Sequence, residues 1–359
     1  LMSREGSSSM EIRIEKTQNP KAKPDEDNLA FGKIFTDHMF IMDYEEGKGW
    51  YDPRIVPFGP IEVLPSLSTF HYGQAVFEGM KAYKNPDGKV LLFRPEENMK
   101  RLNQSNERMC MPPIDEEFCL EAIKTLVDLD RDWVPAAEGT ALYIRPFIIA
   151  TDPVLRLKPS SSYKFMIILS PVGAYYPQGI NPVDIYVETE YVRAVPGGTG
   201  YAKASANYAA SMIAQAKAEE KGYVQVLWLN GNYVQEVGSM NVFFKIAGEI
   251  ITPELDGSIL PGVTRDSVIK LLQSWDLPVV ERKITIDEIY EAAEAGQLEE
   301  AFGTGTAAVI SPVGGLDWQG RIIKINEGKM GELSAKIYDT LTGIQTGKIE
   351  DPFGWVVEI

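Results

Sequence analysis

A lysine at the end of a glycine-rich stretch is the residue best suited to chemistry in this sequence. Lys203 closes the run Val195-Pro-Gly-Gly-Thr-Gly-Tyr-Ala-Lys203, whose glycines let the backbone approach a ligand closely. An alanine-rich, helix-like stretch follows as far as Lys221 and ends at Gly222. The positive end of a helix and burial both disfavour an ammonium group, as an amine that forms a Schiff base requires. A glycine-rich turn with a solvated lysine is the alternative, and composition alone favours it.

A carboxylate follows on a strand-like segment of the second half. Glu236 lies in Gln235-Glu-Val-Gly-Ser-Met-Asn241, just after a hairpin signal at Asn230-Gly-Asn232. In the functional interpretation Glu236 pairs with a protonated ring nitrogen, and Gly238 makes room for the ring. In the alternative interpretation Glu236 is an exposed strand residue.

Two short segments are able to bind an anion through backbone N–H groups. Ile259-Leu-Pro-Gly-Val-Thr-Arg-Asp-Ser267 enters a predicted helix, where the hydroxyls of Thr264 and Ser267 can complete a phosphate cradle. An ordinary capped helix start explains this segment equally well. Phe302-Gly-Thr-Gly-Thr-Ala-Ala308 predicts a short Gly/Thr turn, and the phosphate-loop pattern GxxxxGK[ST] is absent. Together the clusters supply an amine, a carboxylate and two anion cradles, a set that suits pyridoxal phosphate.

Hydrophobic periodicity predicts the elements that must position these residues. We expect helices at Glu96–Met109, Glu116–Leu129, Thr264–Trp275, Ile286–Ala295 and Gly328–Leu341. We expect strands at Lys89–Phe93, Ala141–Ala150, Tyr163–Leu169, Val224–Leu229, Tyr233–Glu236, Val242–Ile246 and Ile250–Thr252. The Pro- and Gly-rich stretch between the halves predicts a connection between two domains.

The predicted organisation has four parts. Residues 1–30 form a flexible entry segment, in which residues 1–9 look like a cloning remnant and Met10 like the natural start. A small α/β or α+β domain covers residues 31–170, an interdomain loop residues 171–183, and a larger, strand-rich, cofactor-binding domain residues 184–359.

Composition excludes several classes of function. The net charge of −16 repels nucleic acid and anionic membranes, and no apolar stretch is long enough for a membrane span. Cys110 and Cys119 are the only cysteines, so a disulfide framework is excluded; two free thiols in a reducing cytoplasm are favoured over a disulfide between them. With only His38 and His71, no histidine cluster can bind a metal, and we expect no metal site.

Several strings resemble the branched-chain aminotransferases among the fold-type IV pyridoxal phosphate enzymes. They run in order from about Phe31 to Trp355: FTDHMF, FHYGQAVFEGMKAY, FRPEENMKRL, ALYIRPFIIA, GGTGYAK, NYAAS, QVLWLNG, EVGSMNVFF, ILPGVTR and FGTGTAA. The second-half strings are shared across fold type IV, whereas the first-half strings point to the branched-chain group. The resemblance implies a two-domain fold with a smaller N-terminal α/β domain and a larger strand-rich C-terminal domain, pyridoxal 5′-phosphate as cofactor, and a homodimer with a shared active site.

The resemblance also assigns residues around the cofactor. Lys203 forms the Schiff base and moves a proton between substrate Cα and cofactor C4′. Glu236 pairs with the pyridine nitrogen, and Tyr208 hydrogen-bonds the ring O3′. The full set of implied cofactor contacts is Arg101, Lys203, Tyr208, Glu236, Ser239, Leu260, Gly262, Val263, Thr264, Gly305 and Thr306.

Substrate contacts follow from the same resemblance. Tyr72 or Tyr143 and the N–H groups near Ala307 would meet the substrate carboxylate, and Arg145 would meet the distal carboxylate of glutamate. Phe31, Phe77, Tyr208 and Met240 would form the aliphatic pocket. Leu155 and Leu157 would complete it from the partner subunit, and Tyr175 would lie on a loop that closes over the substrate.

The implied reaction is a ping-pong transamination of L-leucine, L-isoleucine and L-valine with 2-oxoglutarate. The chain departs from the family at Ser239, where threonine is usual, and at Ala308-Val-Ile-Ser311, where some relatives carry a redox CxxC. Other fold-type IV enzymes, a D-amino-acid aminotransferase or an aminodeoxychorismate lyase, are alternatives. A cofactor-free anion-binding protein is the alternative from another class.

Overall fold

The computed structural model describes residues 10–176 and 179–359. The expected cloning remnant at residues 1–9, and residues 177–178 of the expected interdomain loop, lie outside the described residues. The chain divides into two compact units. The first unit comprises the chain as far as Gly173 together with the C-terminal residues Val357–Ile359. The second unit comprises Ala174–Val356.

The first unit contains a nine-stranded sheet with three helices. Its strands are β1 (Arg13–Ile14), β2 (His38–Glu45), β3 (Gly49–Pro57), β4 (Ala75–Phe77), β5 (Met80–Lys84), β6 (Val90–Phe93), β7 (Ala141–Ala150), β8 (Ser162–Val172) and β18 (Val356–Glu358). Its helices are α1 (Ser68–Tyr72), α2 (Pro95–Arg108) and α3 (Glu116–Leu129). The strand order is β1-β3-β2-β8-β7-β5-β6-β18, and β4 pairs with β7. The central strands pair antiparallel, so of the two predicted classes this unit is α+β.

Helix α3 shows why the predicted helices form. Asp115 caps its N-terminus by accepting a hydrogen bond from the N–H of Phe118 at 2.9 Å. Cys119, Ile123 and Leu126 recur at helical spacing and are fully buried against the sheet. Each buried aliphatic side chain contributes about 1.5–3 kcal/mol. The predicted bounds of α3 are confirmed.

The second unit contains another nine-stranded sheet. Its strands are β9 (Val183–Val187), β10 (Gln225–Asn230), β11 (Tyr233–Val237), β12 (Asn241–Ile246), β13 (Glu249–Thr252), β14 (Val279–Glu281), β15 (Leu298–Gly305), β16 (Val309–Trp318) and β17 (Arg321–Lys324). Its helices are α4 (Ser205–Glu220), α5 (Val263–Ser274), α6 (Ile286–Glu294) and α7 (Glu332–Gln345). The order is β11-β10-β9-β16-β15-β12-β13-β14, and β17 pairs with β16. Both predicted hairpins, β10–β11 and β12–β13, are confirmed.

The predicted start of the last helix, Gly328, is wrong. Asn326, Glu327 and Gly328 all have positive φ, a conformation that no α-helix continues. Helix α7 begins at Glu332 instead, where the Glu300 carboxylate from β15 accepts hydrogen bonds from the N–H groups of Leu333 and Ser334. The cap is supplied from a distant strand, so local sequence does not reveal it.

Neither a membrane-spanning helix nor a cluster of metal-binding side chains occurs among the described residues. Within residues 10–176 and 179–359, no helix is long and apolar enough to cross a membrane. In the same part of the chain, no group of three or more His, Cys, Asp or Glu side chains is arranged to hold a metal ion. Cys110 is exposed and Cys119 is buried, and both are free thiols.

Candidate active site

Lys203 lies at the junction of the glycine-rich loop and helix α4, as predicted. Its Nζ donates a hydrogen bond to the Tyr208 hydroxyl at 3.1 Å, from the first turn of the helix. Asn207 fixes the junction, because its Nδ2 donates to the carbonyls of Thr199 and Ala202, both at 2.9 Å. The Thr199 hydroxyl donates back to Asn207 Oδ1 at 2.6 Å. The amine is therefore presented by a loop that is tied to the helix start.

The glycine-rich loop approaches another segment of the protein closely at Gly200. A Cβ placed on this glycine would overlap the Ser258 carbonyl and the Ala194 side chain. Arg193 joins the same two segments, since its guanidinium donates to the carbonyls of Ser258 at 2.9 Å and Gly200 at 3.1 Å. At Gly200 the glycine therefore serves packing of the protein's own backbone.

Glu236 is a buried carboxylate at the end of β11. Only 2% of the residue is exposed, so the interpretation as an exposed strand glutamate is wrong. Its Oε2 lies 3.0 Å from Arg193 Nε, and its Oε1 accepts the N–H of Leu260 at 2.9 Å. A buried guanidinium beside the carboxylate favours its ionised form. The site thus holds an ordered carboxylate that can still accept a hydrogen bond from a protonated heterocycle.

Glu236 lies on the wall of a cavity of about 210 Å³ in the second unit. Predicted cofactor contacts and two residues that the sequence analysis missed meet on its wall: Arg193, Asn207, Tyr208, Glu236, Ser239 and Leu260. Charged and polar groups together with the Leu260 side chain give the cavity the mixed lining typical of cofactor sites.

The start of α5 matches the predicted anion cradle in part. Gly262 occupies the N-cap position, which has no side-chain cap, followed by Val263 and the buried Thr264. Uncapped N–H groups at a helix start are a ready anion site. Asn241 braces the approach by donating to the Leu260 carbonyl at 2.9 Å. The prediction for Ser267 is wrong, because its hydroxyl donates to the Val263 carbonyl at 2.7 Å within the helix.

The predicted Gly/Thr turn is a strand over most of its length. Phe302–Gly305 belongs to β15 and pairs with both β12 and β16, and only Thr306–Ala308 forms a turn. Cβ atoms on Gly303 and Gly305 would lie 3.0 and 3.2 Å from atoms of the Met240 side chain. The two glycines therefore leave room for Met240, which packs on the strand that leads to Thr306.

Gly238 lines the same cavity, and the turn geometry also requires a glycine there. Its φ is +56°, and it lies in the tight turn closed by hydrogen bonds between Val237 and Met240. A Cβ there would meet the side chain of Gln225. The turn between β11 and β12 thus requires a glycine at this position, and the role beside a ring stays a prediction.

In the first unit, Glu78 organises two of the predicted cationic residues. The side chain of Glu78 is fully buried and accepts two hydrogen bonds from Arg101, at 2.7 and 2.9 Å, and one from Asn98 at 2.9 Å. Its backbone carbonyl accepts the Nε of Arg145 at 2.8 Å. Arg101, one of the implied cofactor contacts, is therefore held by α2 in a buried two-bond ion pair.

Four predicted substrate contacts meet beside this pair. The Arg145 guanidinium donates to the Tyr143 hydroxyl at 2.9 Å and lies 4.5 Å from the centre of the Phe77 ring. Phe31 packs edge-on against Tyr143 with ring centres 4.9 Å apart. The cluster combines an aromatic surface with one cation whose position is fixed from two sides.

The remaining predicted substrate residues belong to other elements. Tyr72 ends the short helix α1, and Leu155 and Leu157 are exposed to 63% and 83% on the segment after β7. Tyr175 belongs to the second unit, where it packs edge-on against Tyr176. Ala307 lies in the turn after β15.

The sequence analysis missed Glu78, Arg193, Asn207 and Asn241. Asn207 and Glu78 occur inside the strings NYAAS and FEGMKAY, which carry the resemblance. Their polar side chains could therefore have been identified as site candidates from the sequence. Arg193 has no such signal, because its partners Glu236 and Ser258 are distant in sequence.

Known proteins resemble this chain over most of its length. The family model of amino-transferase class IV matches residues 75–315. Branched-chain-amino-acid aminotransferase 2 of Bacillus subtilis (strain 168) is 62% identical over 351 residues, covering 97% of each chain. Branched-chain-amino-acid transaminase 1 of the same strain is 60% identical over 352 residues, covering 97% of this chain and 99% of the relative.

A solved structure shares the fold. The branched-chain amino acid aminotransferase from Thermobaculum terrenum in its PLP-form has a TM-score of 0.72 at 25% identity, covering 89% of this chain and 97% of that chain. The predicted fold-type IV architecture is therefore confirmed.

Proposed function

The chain belongs to the class IV aminotransferases and, within them, to the branched-chain-amino-acid aminotransferases, and from this premise we propose that it transfers the amino group of L-leucine, L-isoleucine or L-valine to 2-oxoglutarate. The observation that carries the proposal is the arrangement in the second unit. A lysine amine held by a tyrosine hydroxyl and a buried carboxylate ion pair belong to the same loop-and-strand assembly.

The residues present fit pyridoxal 5′-phosphate. Glu236 offers a fixed anion for a protonated ring nitrogen, Leu260 an apolar surface, and the uncapped start of α5 at Gly262 a set of N–H groups for a phosphate. When bound, the cofactor supplies an aldehyde that takes up the amino group and a ring that accepts electron density. Val263, Thr264, Ser239, Gly305 and Thr306 are proposed as further contacts, and Arg101 as a phosphate contact from α2.

Lys203 has two proposed tasks. Its Nζ holds the cofactor, and once the substrate has taken its place, the free amine moves the proton of the substrate Cα. The Tyr208 hydroxyl at 3.1 Å orients this amine and can hydrogen-bond the ring O3′. Arg193 keeps Glu236 in place through the 3.0 Å contact, so this carboxylate would be ordered before a ring nitrogen meets it.

The aromatic cluster of the first unit accounts for the two kinds of substrate. One pocket must accept an aliphatic side chain in one half-reaction and a carboxylate in the other. Phe31, Phe77 and Tyr143 offer an apolar wall, and the Arg145 guanidinium over Phe77 offers the cation for the distal carboxylate of glutamate. Met240 and Tyr208 are proposed as further contacts of the aliphatic side chain, and Tyr72 or Tyr143 with the N–H of Ala307 as contacts of the other carboxylate.

We further propose a cytoplasmic homodimer that works by a ping-pong mechanism. The exposure of Leu155 and Leu157 supports the dimer, because large apolar side chains in this position are available to a partner. The loop that carries Tyr175 is proposed to close over the substrate. The exposed free thiol of Cys110 supports a reducing compartment.

A substrate comparison tests the proposed reaction. Rates with L-leucine, L-isoleucine, L-valine and D-alanine are measured against 2-oxoglutarate, together with initial rates at several fixed concentrations of each partner. We expect turnover of the three L-amino acids and parallel double-reciprocal lines, the pattern of a ping-pong reaction. Turnover of D-alanine alone would favour a D-amino-acid aminotransferase and contradict the proposal.

A further inference from the structure

Strand β7 carries a proline where a central strand normally needs a hydrogen-bond donor. β7 pairs with β8 on one side and with β4 and β5 on the other, so it is not an edge strand. Pro146 lies in the middle of this strand, at a place where the register is unbroken on both sides. Prolines in sheets are largely confined to edges, strand starts and bulges, because proline has no N–H to donate. A residue that breaks this rule without a bulge indicates a role outside the sheet itself.

The missing N–H of Pro146 faces Glu78. β4 and β5 pair with β7 in one continuous register, which places Glu78 opposite Pro146. The N–H of Glu78 donates to the Pro146 carbonyl at 2.8 Å. In a hydrogen-bonded antiparallel pair, the second residue returns this bond through its own N–H. Because Pro146 cannot return it, the Glu78 carbonyl receives no ladder hydrogen bond from β7.

The Arg145 side chain takes the place of the missing donor. Its Nε donates to the Glu78 carbonyl at 2.8 Å, and its Nη2 donates to the Tyr143 hydroxyl at 2.9 Å. Two such bonds fix the direction of a planar guanidinium group. Within residues 10–176 and 179–359, Nη1 of Arg145 has no hydrogen-bond partner. The N–H groups of Nη1 therefore remain for a ligand.

Glu78, which supports Arg145, is itself held by helix α2. Its fully buried carboxylate accepts two hydrogen bonds from Arg101, at 2.7 and 2.9 Å, and one from Asn98 at 2.9 Å. Hydrogen bonds between charged partners are among the strong ones in proteins. The carbonyl that holds Arg145 thus belongs to a residue whose side chain is anchored.

We propose that Pro146 is a positioning residue for dicarboxylate substrates. By leaving the Glu78 carbonyl without a ladder donor, it lets that carbonyl hold Arg145, so the guanidinium is aimed before a distal carboxylate arrives. The inference rests on the proposed function, in which Arg145 binds the distal carboxylate of glutamate. Branched-chain substrates lack this carboxylate, so Pro146 acts on one of the two substrate classes.

Two assays of the cofactor-loaded enzyme separate the substrate classes. L-leucine is paired with 2-oxoglutarate in the first, and in the second with 3-methyl-2-oxobutanoate, which has no distal carboxylate. Pro146→Ala supplies the ladder N–H, which competes with Arg145 Nε for the Glu78 carbonyl. We expect KM for 2-oxoglutarate to rise about tenfold, the effect of losing one hydrogen bond of a charged group. KM for 3-methyl-2-oxobutanoate, and kcat with it, should stay unchanged.

Three further variants show whether Pro146 acts through Arg145. Pro146→Val also has an N–H and favours a strand, so it should give the same selective rise in KM. Pro57→Ala adds an N–H to β3, three strands from β7 in the same sheet, and should leave both KM values unchanged. In an Arg145→Met enzyme, KM for 2-oxoglutarate should already be high, and addition of Pro146→Ala should raise it no further.

An equal rise of KM in both assays would indicate a general structural defect and overturn the proposal. An unchanged KM for 2-oxoglutarate in the Pro146 variants or in Arg145→Met would overturn it as well. The same holds for a selective rise in Pro57→Ala, or for a further rise when Pro146→Ala is added to Arg145→Met. If the wild-type enzyme turns over neither pair of substrates, the proposed function fails instead.

Discussion

At the scale of single residues, few groups in the candidate site can do chemistry, and several others hold them in place. Lys203 alone supplies an amine, whereas Tyr208 orients that amine and Asn207 ties the loop behind it. Glu236 supplies the charge, and Arg193 fixes it. Supporting residues of this kind keep reacting groups within a fraction of an ångström, which decides how well a site works.

Replacement of Lys203 by alanine should remove turnover and keep the fold. Loss of the amine that moves the substrate proton should lower kcat by about 10⁴-fold or more, as expected for a general acid–base group that also binds the cofactor. Steady-state rates with L-leucine measure the loss, and circular dichroism checks the fold. Lys217→Ala, an exposed lysine on the same helix, serves as the control. Transamination that survives in the Lys203 variant would show that another group does this work.

A half-buried lysine outside the proposed cofactor site gives a test by pH. Burial lowers the pKa of Lys81 to about 8, from 10.5. Between these values the unfolded chain binds more protons than the folded one, so the free energy of unfolding should rise with pH across this window. Lys81→Met should lack this rise and should be more stable near neutral pH, by on the order of 1–3 kcal/mol.

Urea unfolding at a series of pH values from neutral to about 10.5 checks this result. Lys84→Met is the matched control, because it changes another lysine of the same strand. If wild type and the Lys81 variant show the same slope of unfolding free energy against pH, Lys81 does not carry the lowered pKa.

At the scale of elements, the candidate site depends on close packing between the glycine-rich loop and the segment before α5. A side chain at Gly200 would overlap the Ser258 carbonyl, and backbone cannot move aside as a flexible side chain can. Arg193 bridges the same two segments. The loop that presents Lys203 and the segment that contacts Glu236 are thus held as one assembly.

Gly200→Ala should therefore separate these segments. We expect a loss of more than about 2 kcal/mol in unfolding free energy and weaker retention of the cofactor. Gly198→Ala is the matched control in the same loop, since its Cβ would lie 3.1 Å from the Val195 carbonyl and needs only a small adjustment. Thermal unfolding and cofactor release on dilution measure both variants. Equal effects of the two substitutions would contradict the packing argument.

The elements that could be predicted are those whose capping, periodicity or turn residues lie close together in the sequence. The amphipathic pattern and Asp115 cap of α3 and the turn at Asn230-Gly-Asn232 are complete within a few residues. Strand β16 carries Pro312, Gly314 and Gly315, and its pairing with β9 and β15 overrides these unfavourable residues. For this reason β16 was not predicted.

The residues of the candidate site were likewise predictable only where their signal is local in sequence. Lys203, Tyr208 and Glu236 each occur within a local sequence motif. In the structure the Tyr208 hydroxyl contacts Lys203, and Glu236 is buried. Arg193 is recognisable only once β11 and the glycine-rich loop are folded together, because its partners Glu236 and Ser258 are distant in sequence. Ser267 shows the opposite error, a hydroxyl in a suggestive motif that the helix itself uses.

At the scale of the whole molecule, the proposal of a shared active site predicts complementation. Lys203→Ala lacks its own amine but offers an intact Leu155–Leu157 segment. The double variant Leu155→Asp/Leu157→Asp keeps the amine but offers a defective segment. If each site takes this segment from the partner, a mixed dimer contains one complete site, and random mixing should restore about a quarter of wild-type activity.

The measurement uses the two inactive variants refolded separately and together, with assembly followed by light scattering. Lys203→Ala mixed with wild-type protein serves as the reference for dilution of active sites. A dimeric mixture that stays inactive would mean that the segment serves its own protomer or has no role in the site.

The central claim is that Lys203 carries the cofactor, and reduction of the holoenzyme tests it most directly. Borohydride fixes a cofactor bound through an amine onto that amine, and mass spectrometry of the digested protein then identifies the modified residue. We predict one pyridoxyl group per chain, on the peptide that contains Lys203, and none after prior conversion of the enzyme with L-leucine. A pyridoxyl group on another lysine, or none on any, would contradict the account.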